Sequence, residues 1–207
     1  MAIRIQIKQT NQGSTPALDR YEIINKINRT KNKRDAALIA TLYLTGCRIE
    51  ELLKYKHYKL DIKGKPVKKE QIEIRGDEII FRNIRCLKLT RNRNGVKSHR
   101  AQVRNIPIVF NQLEKPLIRY LMDYIKGLNP EDPLFNITRW RAYQILSEIG
   151  LYPHLLRHAR LTHLAVDYDF GEAQLRHFTG WSTSNTAKHY THLRISDLIN
   201  KMKKSVI

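Results

Sequence analysis

The chain has 207 residues, of which 42% are hydrophobic, enough for one domain with an apolar core that does not depend on disulfides. It carries 38 Lys+Arg against 19 Asp+Glu, and the resulting net charge of +19 favours a polyanionic partner. The same charge is typical of ribosomal and membrane-surface proteins, so charge alone does not exclude them.

Cysteine usage and hydropathy indicate the compartment. Cys47 and Cys86 have no CxxC spacing and no second pair, so they indicate neither a zinc ribbon nor a disulfide framework. The N-terminal residues lack the apolar run of a signal peptide, and no stretch approaches the length of a membrane span. We therefore expect a soluble, cytoplasmic protein without membrane contacts.

The first third of the chain predicts an extended arm followed by helices. Residues 1–15 include "IRIQIK", whose alternating apolar residues predict an arm or short strand. A helix is expected after Pro16 in "ALDRYEIINKIN", and "KRDAALIATLYLTG" predicts a buried helix that ends at Gly46. "RIEELLKYKHY" resumes helical spacing at once. We expect no separate N-terminal helical domain from the first thirty residues.

A β-rich region lies between Gln71 and Ile108. "QIEIRGDEIIFRNIRCLKL" and "RAQVRNIPIVF" alternate in polarity on either side of the polar turn "TRNRNG", which predicts a small antiparallel sheet with a long hairpin. No carboxylate lies between Glu78 and Glu114, although a solvated hairpin usually mixes its charges. We expect the basic residues of this region to face an anion: Arg82, Arg85, Lys88, Arg91, Arg93, Lys97, Arg100 and Arg104.

The remaining chain predicts helices. These are "LEKPLIRYLMDYIKG", "ITRWRAYQILSEIG", "PHLLRHARLTHLAVDY", "GEAQLRHFTG", "NTAKHYTHL" and "RISDLINKMKKS". The fold class is thus mainly α with a small antiparallel sheet inserted (α+β). We expect one domain over residues 16–193 and a loosely attached C-terminal helix over residues 194–207.

The stretch "YPHLLRHARLTHLA" concentrates histidines and arginines on one helix. His154 and His158 are spaced like two zinc ligands, but Arg157 lies between them and no Asp, Glu or Cys in residues 150–165 could complete the site. His154 and Arg157 are three residues apart, which suits a phosphate held by a guanidinium beside an imidazole. A solvated basic face explains this stretch better when it is taken alone.

Other segments supply partners for such a phosphate site. "LTGCRIEEL" places Arg48 directly after the buried helix, with Glu51 one turn later to hold it. "TGWSTSNTAKHYTHL" contains Trp181 and, nine residues later, Tyr190. Any one of the ten tyrosines is a poor candidate for a nucleophile when it is considered by itself.

Taken together, these segments resemble the tyrosine recombinase/integrase family, a phage-integrase-like catalytic domain related to type IB topoisomerases. The similarity covers residues 16–200 and preserves the family's order: TGxRxxEL from Thr45, a basic hairpin lysine, HxxRH from His154, the Gly180-Trp181-Ser182 segment and Tyr190. Trp181 occupies a position where most members have histidine.

The resemblance implies a metal-free and ATP-free reaction on double-stranded DNA. Tyr190 would attack the scissile phosphate and form a 3′-phosphotyrosyl intermediate, while Arg48 and Arg157 neutralise the transition state. His154 would relay the tyrosine proton, and Trp181 would bind near the phosphate. Glu51 and His158 would support the site.

The hairpin lysine that protonates the leaving 5′-oxygen remains a choice between Lys88 and Lys97, and the family pattern favours Lys88. Further DNA contacts are expected from Arg85, Arg91, Arg93, Lys97 and Arg100. The resemblance also implies self-association on DNA as a dimer or tetramer, in which the C-terminal helix is exchanged between protomers. A type IB topoisomerase activity and a non-catalytic DNA-binding module are the alternatives.

Overall fold

The computed structural model describes residues 18–57, 62–86, 89–91, 97–99 and 102–181. Within these ranges the chain forms seven α-helices and three small antiparallel sheets. The predicted mainly helical fold with an inserted sheet is confirmed. The expected N-terminal arm and the two expected helices after Ser182 lie outside the described residues.

Two capped helices build the first layer of the core. Helix α1 (Arg20–Asn28) is capped at its N-terminus by Asp19, whose side chain accepts a hydrogen bond of 2.8 Å from the Glu22 N–H. Helix α2 (Lys33–Thr45) ends at Gly46, whose φ of +56° is the left-handed conformation that glycine adopts without strain. Every residue of α2 from Asp35 to Thr45 is buried, as its nearly continuous apolar sequence predicts.

The chain after Gly46 differs from its prediction. Helix α3 (Ile49–Leu52) has a single turn, and strand β1 (Tyr55–His57) pairs with β2 (Ile62–Gly64) where the sequence predicted a longer helix. Leu53 turns into extended conformation, and the Val67 N–H donates to the Leu52 carbonyl at 3.0 Å. The Leu52 carbonyl at the end of α3 is therefore paired with a later segment of the chain, and the helix does not continue for another turn.

The main sheet lies in the predicted β-rich region. Strands β3 (Ile72–Arg75), β4 (Glu78–Cys86) and β7 (Gln102–Val109) form an antiparallel sheet in the order β3-β4-β7. A bulge shifts the register between Phe81 and Ile84, where Asn83 has a φ of +54°. The predicted hairpin continues as a short ladder of β5 (Leu89–Arg91) and β6 (Lys97–His99).

Four helices complete the described fold: α4 (Lys115–Ile125), α5 (Arg139–Glu148), α6 (Pro153–Asp167) and α7 (Glu172–Thr179). Helices α4 and α6 pack against α2, so α2 lies at the centre of the molecule. Helix α7 packs against both α6 and β7 and ends at Gly180 in the left-handed conformation. In the described part of the chain, no helix combines the length and the apolar character needed to cross a membrane.

Candidate active site

Arg48 is held at the junction between α2 and α3. Its Nη1 donates to Glu51 Oε1 at 3.0 Å, and its backbone N–H donates to Glu51 Oε2 at the same distance. The side chain of Glu51 is fully buried, whereas a quarter of the Arg48 side chain is exposed. A buried carboxylate on the core side thus leaves the other side of the Arg48 guanidinium open for a ligand.

Arg157 approaches the same junction from α6. The residue is only 5% exposed, and its Nη1 donates to the carbonyl oxygen of Gly46. Burial lowers the pKa of Arg157 to about 10, since Glu51 offsets only part of the desolvation and Arg48 and Arg104 repel its charge. The guanidinium therefore stays protonated at neutral pH. Among the described residues, none accepts a hydrogen bond from its buried Nη2.

Trp181 closes one side of this cluster. Its ring lies with its centroid 5.5 Å from the Arg157 guanidinium carbon, and the residue is buried. Gly180 sets its position, because a Cβ at this glycine would overlap Cys86 Sγ. The end of α7 can therefore approach the sheet closely enough to place Trp181 over Arg157.

Glu51 is surrounded by guanidiniums. It accepts from Arg48 and also from Arg104, whose Nη2 lies 2.8 Å from Glu51 Oε2. Burial alone would raise its pKa, but Arg104 and Arg157, followed by Arg48, hold the pKa of Glu51 below its ordinary value. The carboxylate is therefore charged at neutral pH.

His154 and His158 of α6 differ from Arg157 in their exposure. His154 and His158 are both exposed, while Arg157 is buried between them in sequence. Partial desolvation, together with the nearby His154 and Arg157, lowers the pKa of His158. No three His, Cys, Asp or Glu side chains are grouped as a metal site in the part of the chain that the structure describes.

Several predicted site residues cannot be placed. Lys88, Arg93, Arg100 and Tyr190 lie outside the described residues. Arg91 and Lys97 lie in the paired strands β5 and β6, and Arg85 is exposed on β4. The described part of the chain thus brings together Arg48, Glu51, Arg157 and Trp181, and places His154 in the first turn of the same helix as Arg157.

Two arginines of the β-rich region do not fit the predicted surface that faces an external anion. Arg82 pairs with Glu73 at 2.6 Å, and Arg104 is buried against Glu51. The expectation was wrong for both, because protein carboxylates outside the interval from Glu78 to Glu114 pair with them. The sequence did not single out Arg104 as part of the site. The only signal was its inward position in the alternating strand "QVRNIPIV".

The fold is that of tyrosine recombinase catalytic domains. The XerH site-specific recombinase bound to difH substrate superimposes with a TM-score of 0.59 at 16% identity, covering 91% of this chain and 54% of that chain. The XerA recombinase gives 0.58 at 17% identity, covering 99% and 66%. The Tn1549 transposon integrase in complex with transposon right end DNA gives 0.57 at 15% identity, covering 96% and 69%.

Sequence comparison gives the family. The chain is 28% identical over 212 residues to the tyrosine recombinase XerA of Saccharolobus solfataricus, a match that covers all of this chain and 62% of that protein. The model of the phage integrase family matches residues 18–196. The chain belongs to the phage integrase family, as its sequence motifs predicted.

Proposed function

We propose that the protein is a site-specific DNA recombinase or integrase that acts inside the cell through a covalent 3′-phosphotyrosyl intermediate at Tyr190. The observation that carries this proposal is the buried Nη2 of Arg157, which lacks a hydrogen-bond partner among the described residues. Leaving a charged donor unpaired is costly. A phosphate oxygen would satisfy this donor.

The surrounding residues suit a phosphodiester. Arg48 and Arg157 would approach the non-bridging oxygens from two elements of the core, so that both guanidiniums are in place before the substrate arrives. Trp181 would exclude water from one side of the same pocket. His154, exposed at the start of α6, would take part in proton transfer, with His158 beside it.

The proposed reaction conserves bond energy. The hydroxyl oxygen of Tyr190 attacks phosphorus and loses its proton, the bond to the 5′-oxygen breaks, and that oxygen leaves after accepting a proton. A 5′-hydroxyl from a second strand can reverse these steps and release Tyr190. The solved relatives in complex with difH substrate and with transposon right end DNA support DNA as the substrate.

A nicked suicide DNA substrate tests the proposal. The wild-type protein should form a covalent adduct that resists denaturation, whereas Tyr190→Phe should form none and keep nearly the same DNA affinity, because binding comes from many phosphate contacts. Tyr21→Phe, at an exposed tyrosine of α1, is the matched control and should still form the adduct. An adduct with Tyr190→Phe would refute the assignment.

Two alternatives are tested separately: the adduct assay identifies a non-catalytic module, and a supercoil-relaxation assay run against an integration assay separates a topoisomerase from a recombinase. A type IB topoisomerase would relax supercoiled DNA as a monomer without joining two sites. A non-catalytic DNA-binding module would retain affinity and form no adduct with the wild-type chain. The intact set of Arg48, His154, Arg157 and Tyr190 favours recombination over loss of activity.

The general acid is proposed to be Lys88, with Lys97 as the alternative. A substrate with sulfur at the bridging 5′ position separates the two, because a thiolate leaves without needing a proton. Lys88→Ala should cleave the normal substrate poorly and the sulfur substrate well, while Lys97→Ala should be mildly affected on both. Sulfur rescue of Lys97→Ala would reverse the assignment.

A further inference from the structure

Arg104 is a buried cation that the proposed chemistry does not use. It lies on β7, and its side chain is 4% exposed. Burying a guanidinium carries a desolvation penalty, which specific partners must offset. Its partners are all close to the candidate phosphate pocket.

The contacts of Arg104 converge on the support of Arg48. Its Nη2 donates to Glu51 Oε2 at 2.8 Å, the same oxygen that accepts the Arg48 N–H, while Glu51 Oε1 accepts from the Arg48 guanidinium. Its Nη1 lies 2.8 Å from Cys86 Sγ, and Nη2 lies 3.6 Å from Cys47 Sγ. Arg104 thereby connects the sheet to the first turn of α3.

The Cys47 thiol lies near Arg104 without adding negative charge. Burial raises the pKa of Cys47 to about 11, so this thiol is neutral at physiological pH. Glu51 is therefore the carboxylate that balances Arg104, and it is shared with Arg48. The position of Glu51 depends on both guanidiniums.

We propose that Arg104 is a positioning residue for strand cleavage: it fixes Glu51 and, through Glu51, the guanidinium of Arg48. This inference rests on the proposed recombinase function, and the experiment below separates the failure of one from the failure of the other.

A charge-neutral substrate tests the inference. Replacing one non-bridging oxygen of the scissile phosphate by methyl removes the charge that Arg48 would neutralise. Arg104→Gln should slow adduct formation on the normal phosphate by about tenfold or more, a loss typical of a misplaced transition-state contact. On the methylphosphonate this deficit relative to wild type should fall to about threefold or less. Arg48→Ala serves as the benchmark for the same pattern.

Arg160→Gln is the matched structural control. Arg160 is also 4% exposed and pairs with Glu114, a carboxylate of 1% exposure, but it contacts neither Glu51 nor Arg48 in the described structure. Its loss should lower stability without changing the ratio of the rates on the two substrates. Rates are compared per folded molecule, measured by circular dichroism at the assay temperature.

Two further comparisons sharpen the test, and the first also serves if Arg104→Gln folds poorly. Arg104→Lys retains the charge, and should recover part of the loss on the normal phosphate because an ammonium can still bond Glu51. In the Arg48→Ala background, Arg104→Gln should add little further loss, since both act through one guanidinium.

The outcomes separate two failures. If the wild-type protein forms no adduct on either substrate, the proposed function fails and the inference falls with it. If the wild-type protein reacts but Arg104→Gln and Arg104→Lys match it, or are equally slow on both substrates, only the role of Arg104 is overturned.

Discussion

The environment of Arg157 lowers the stability of the free protein and favours the binding of a ligand. Its guanidinium is buried, donates a hydrogen bond to the Gly46 carbonyl and packs against the Trp181 ring. Its Nη2 has no acceptor within the described part of the chain. Such a donor destabilises the free protein and favours any ligand that can accept from it. A phosphate at this nitrogen would bind more tightly for the same reason.

Arg157→Lys should therefore reduce cleavage far more than a charge-conserving change at the surface. A lysine ammonium can replace either the contact with the Gly46 carbonyl or the phosphate contact, but not both in the same geometry. We expect a loss of at least tenfold in the cleavage rate, about 1.4 kcal/mol. Single-turnover kinetics measure it, with Arg75→Lys, an exposed arginine paired with Glu73, as control. Near wild-type cleavage would show that Arg157 supplies only charge.

His163 should make stability depend on pH. Its Nδ1 shares a hydrogen bond of 2.8 Å with the hydroxyl of Tyr43, and burial, aided by the charge of Arg20, lowers its pKa to about 4. Because the unfolded pKa is higher, about 6.5, the unfolded chain binds the proton more readily. The stabilisation is thus complete above pH 6.5 and is lost as pH falls towards 4.

His163→Asn should flatten the rise of the unfolding free energy between pH 4 and pH 6.5. Urea unfolding at several pH values measures the slope for both proteins. An unchanged slope in the variant would mean that another group is responsible for the pH dependence in this range.

The sequence predicted local pairs of residues better than distant ones. Arg48 and Glu51 are three residues apart, so helical geometry alone predicted their contact. Arg104 and Glu51 are separated by 53 positions, and only the packing of β7 beside α3 brings them together. Charge counts over a segment could not reveal that Arg104 and Arg82 already have carboxylate partners.

At the scale of elements, the end of α2 sets the geometry of the site. Gly46 gives the chain its left-handed turn, presents its carbonyl to Arg157, and packs against Phe178 of α7. A Cβ at Gly46 would lie 3.3 Å from Phe178 Cε1 and 3.5 Å from Arg160 Cγ. The turn thus joins three helices at one residue.

Gly46→Ala should lower the unfolding free energy by more than the cost of the left-handed backbone, about 1–2 kcal/mol for a residue with a Cβ. Gly76→Ala is the matched control, since Gly76 has a φ of +54° and a Cβ there would meet nothing within 4 Å. Urea unfolding should show a larger loss for Gly46→Ala. Equal losses would mean that Phe178 and Arg160 move aside freely.

The hairpin should contribute to the salt dependence of DNA binding. Neutralising Arg91 and Arg93 together should flatten the slope of log K against log[salt] by about 1.8, or 0.9 for each phosphate contact. Neutralising Arg75 and Lys126, which pair with Glu73 and Asp123, is the control with the same charge change. If both double variants keep the wild-type slope, the hairpin turn does not contact DNA.

The prediction of secondary structure failed in a segment whose sequence is compatible with both a helix and a strand. "RIEELLKYKHY" has helical spacing, but its buried Leu52 and Leu53 point into the core at the end of a single turn. The strand that follows is stabilised by β2, which local periodicity cannot identify. By contrast, α2 was predicted to its last residue because a continuous apolar run and a terminal glycine agree.

At the scale of the whole molecule, the described elements agree with the family's motifs, while assembly is a proposal. The chain spans 62% of the length of the XerA protein that it matches. After Tyr190, Ile195, Leu198, Ile199 and Met202 would form one apolar stripe if the segment is helical. We propose that this stripe packs on a neighbouring protomer in a closed ring on DNA.

Deleting the residues after Arg194 should leave folding and DNA binding intact and weaken assembly on DNA. The apolar stripe would then be missing from the contact between protomers, while α2 and its neighbours keep their packing. Analytical ultracentrifugation with DNA and circular dichroism measure the two effects. A truncated chain that fails to fold would show that the segment completes the core of its own protomer.

The continuous burial of α2 has a consequence for hydrogen exchange. Its amides from Ile39 to Thr45 have no solvent-exposed side, so deuterium should enter them only when the whole domain opens. The same helix leads directly into the turn that carries Arg48. DNA bound at the arginines stabilises the folded state by an amount that depends on the DNA concentration and its Kd. Exchange in α2 should slow by the corresponding factor, although the DNA touches none of those amides.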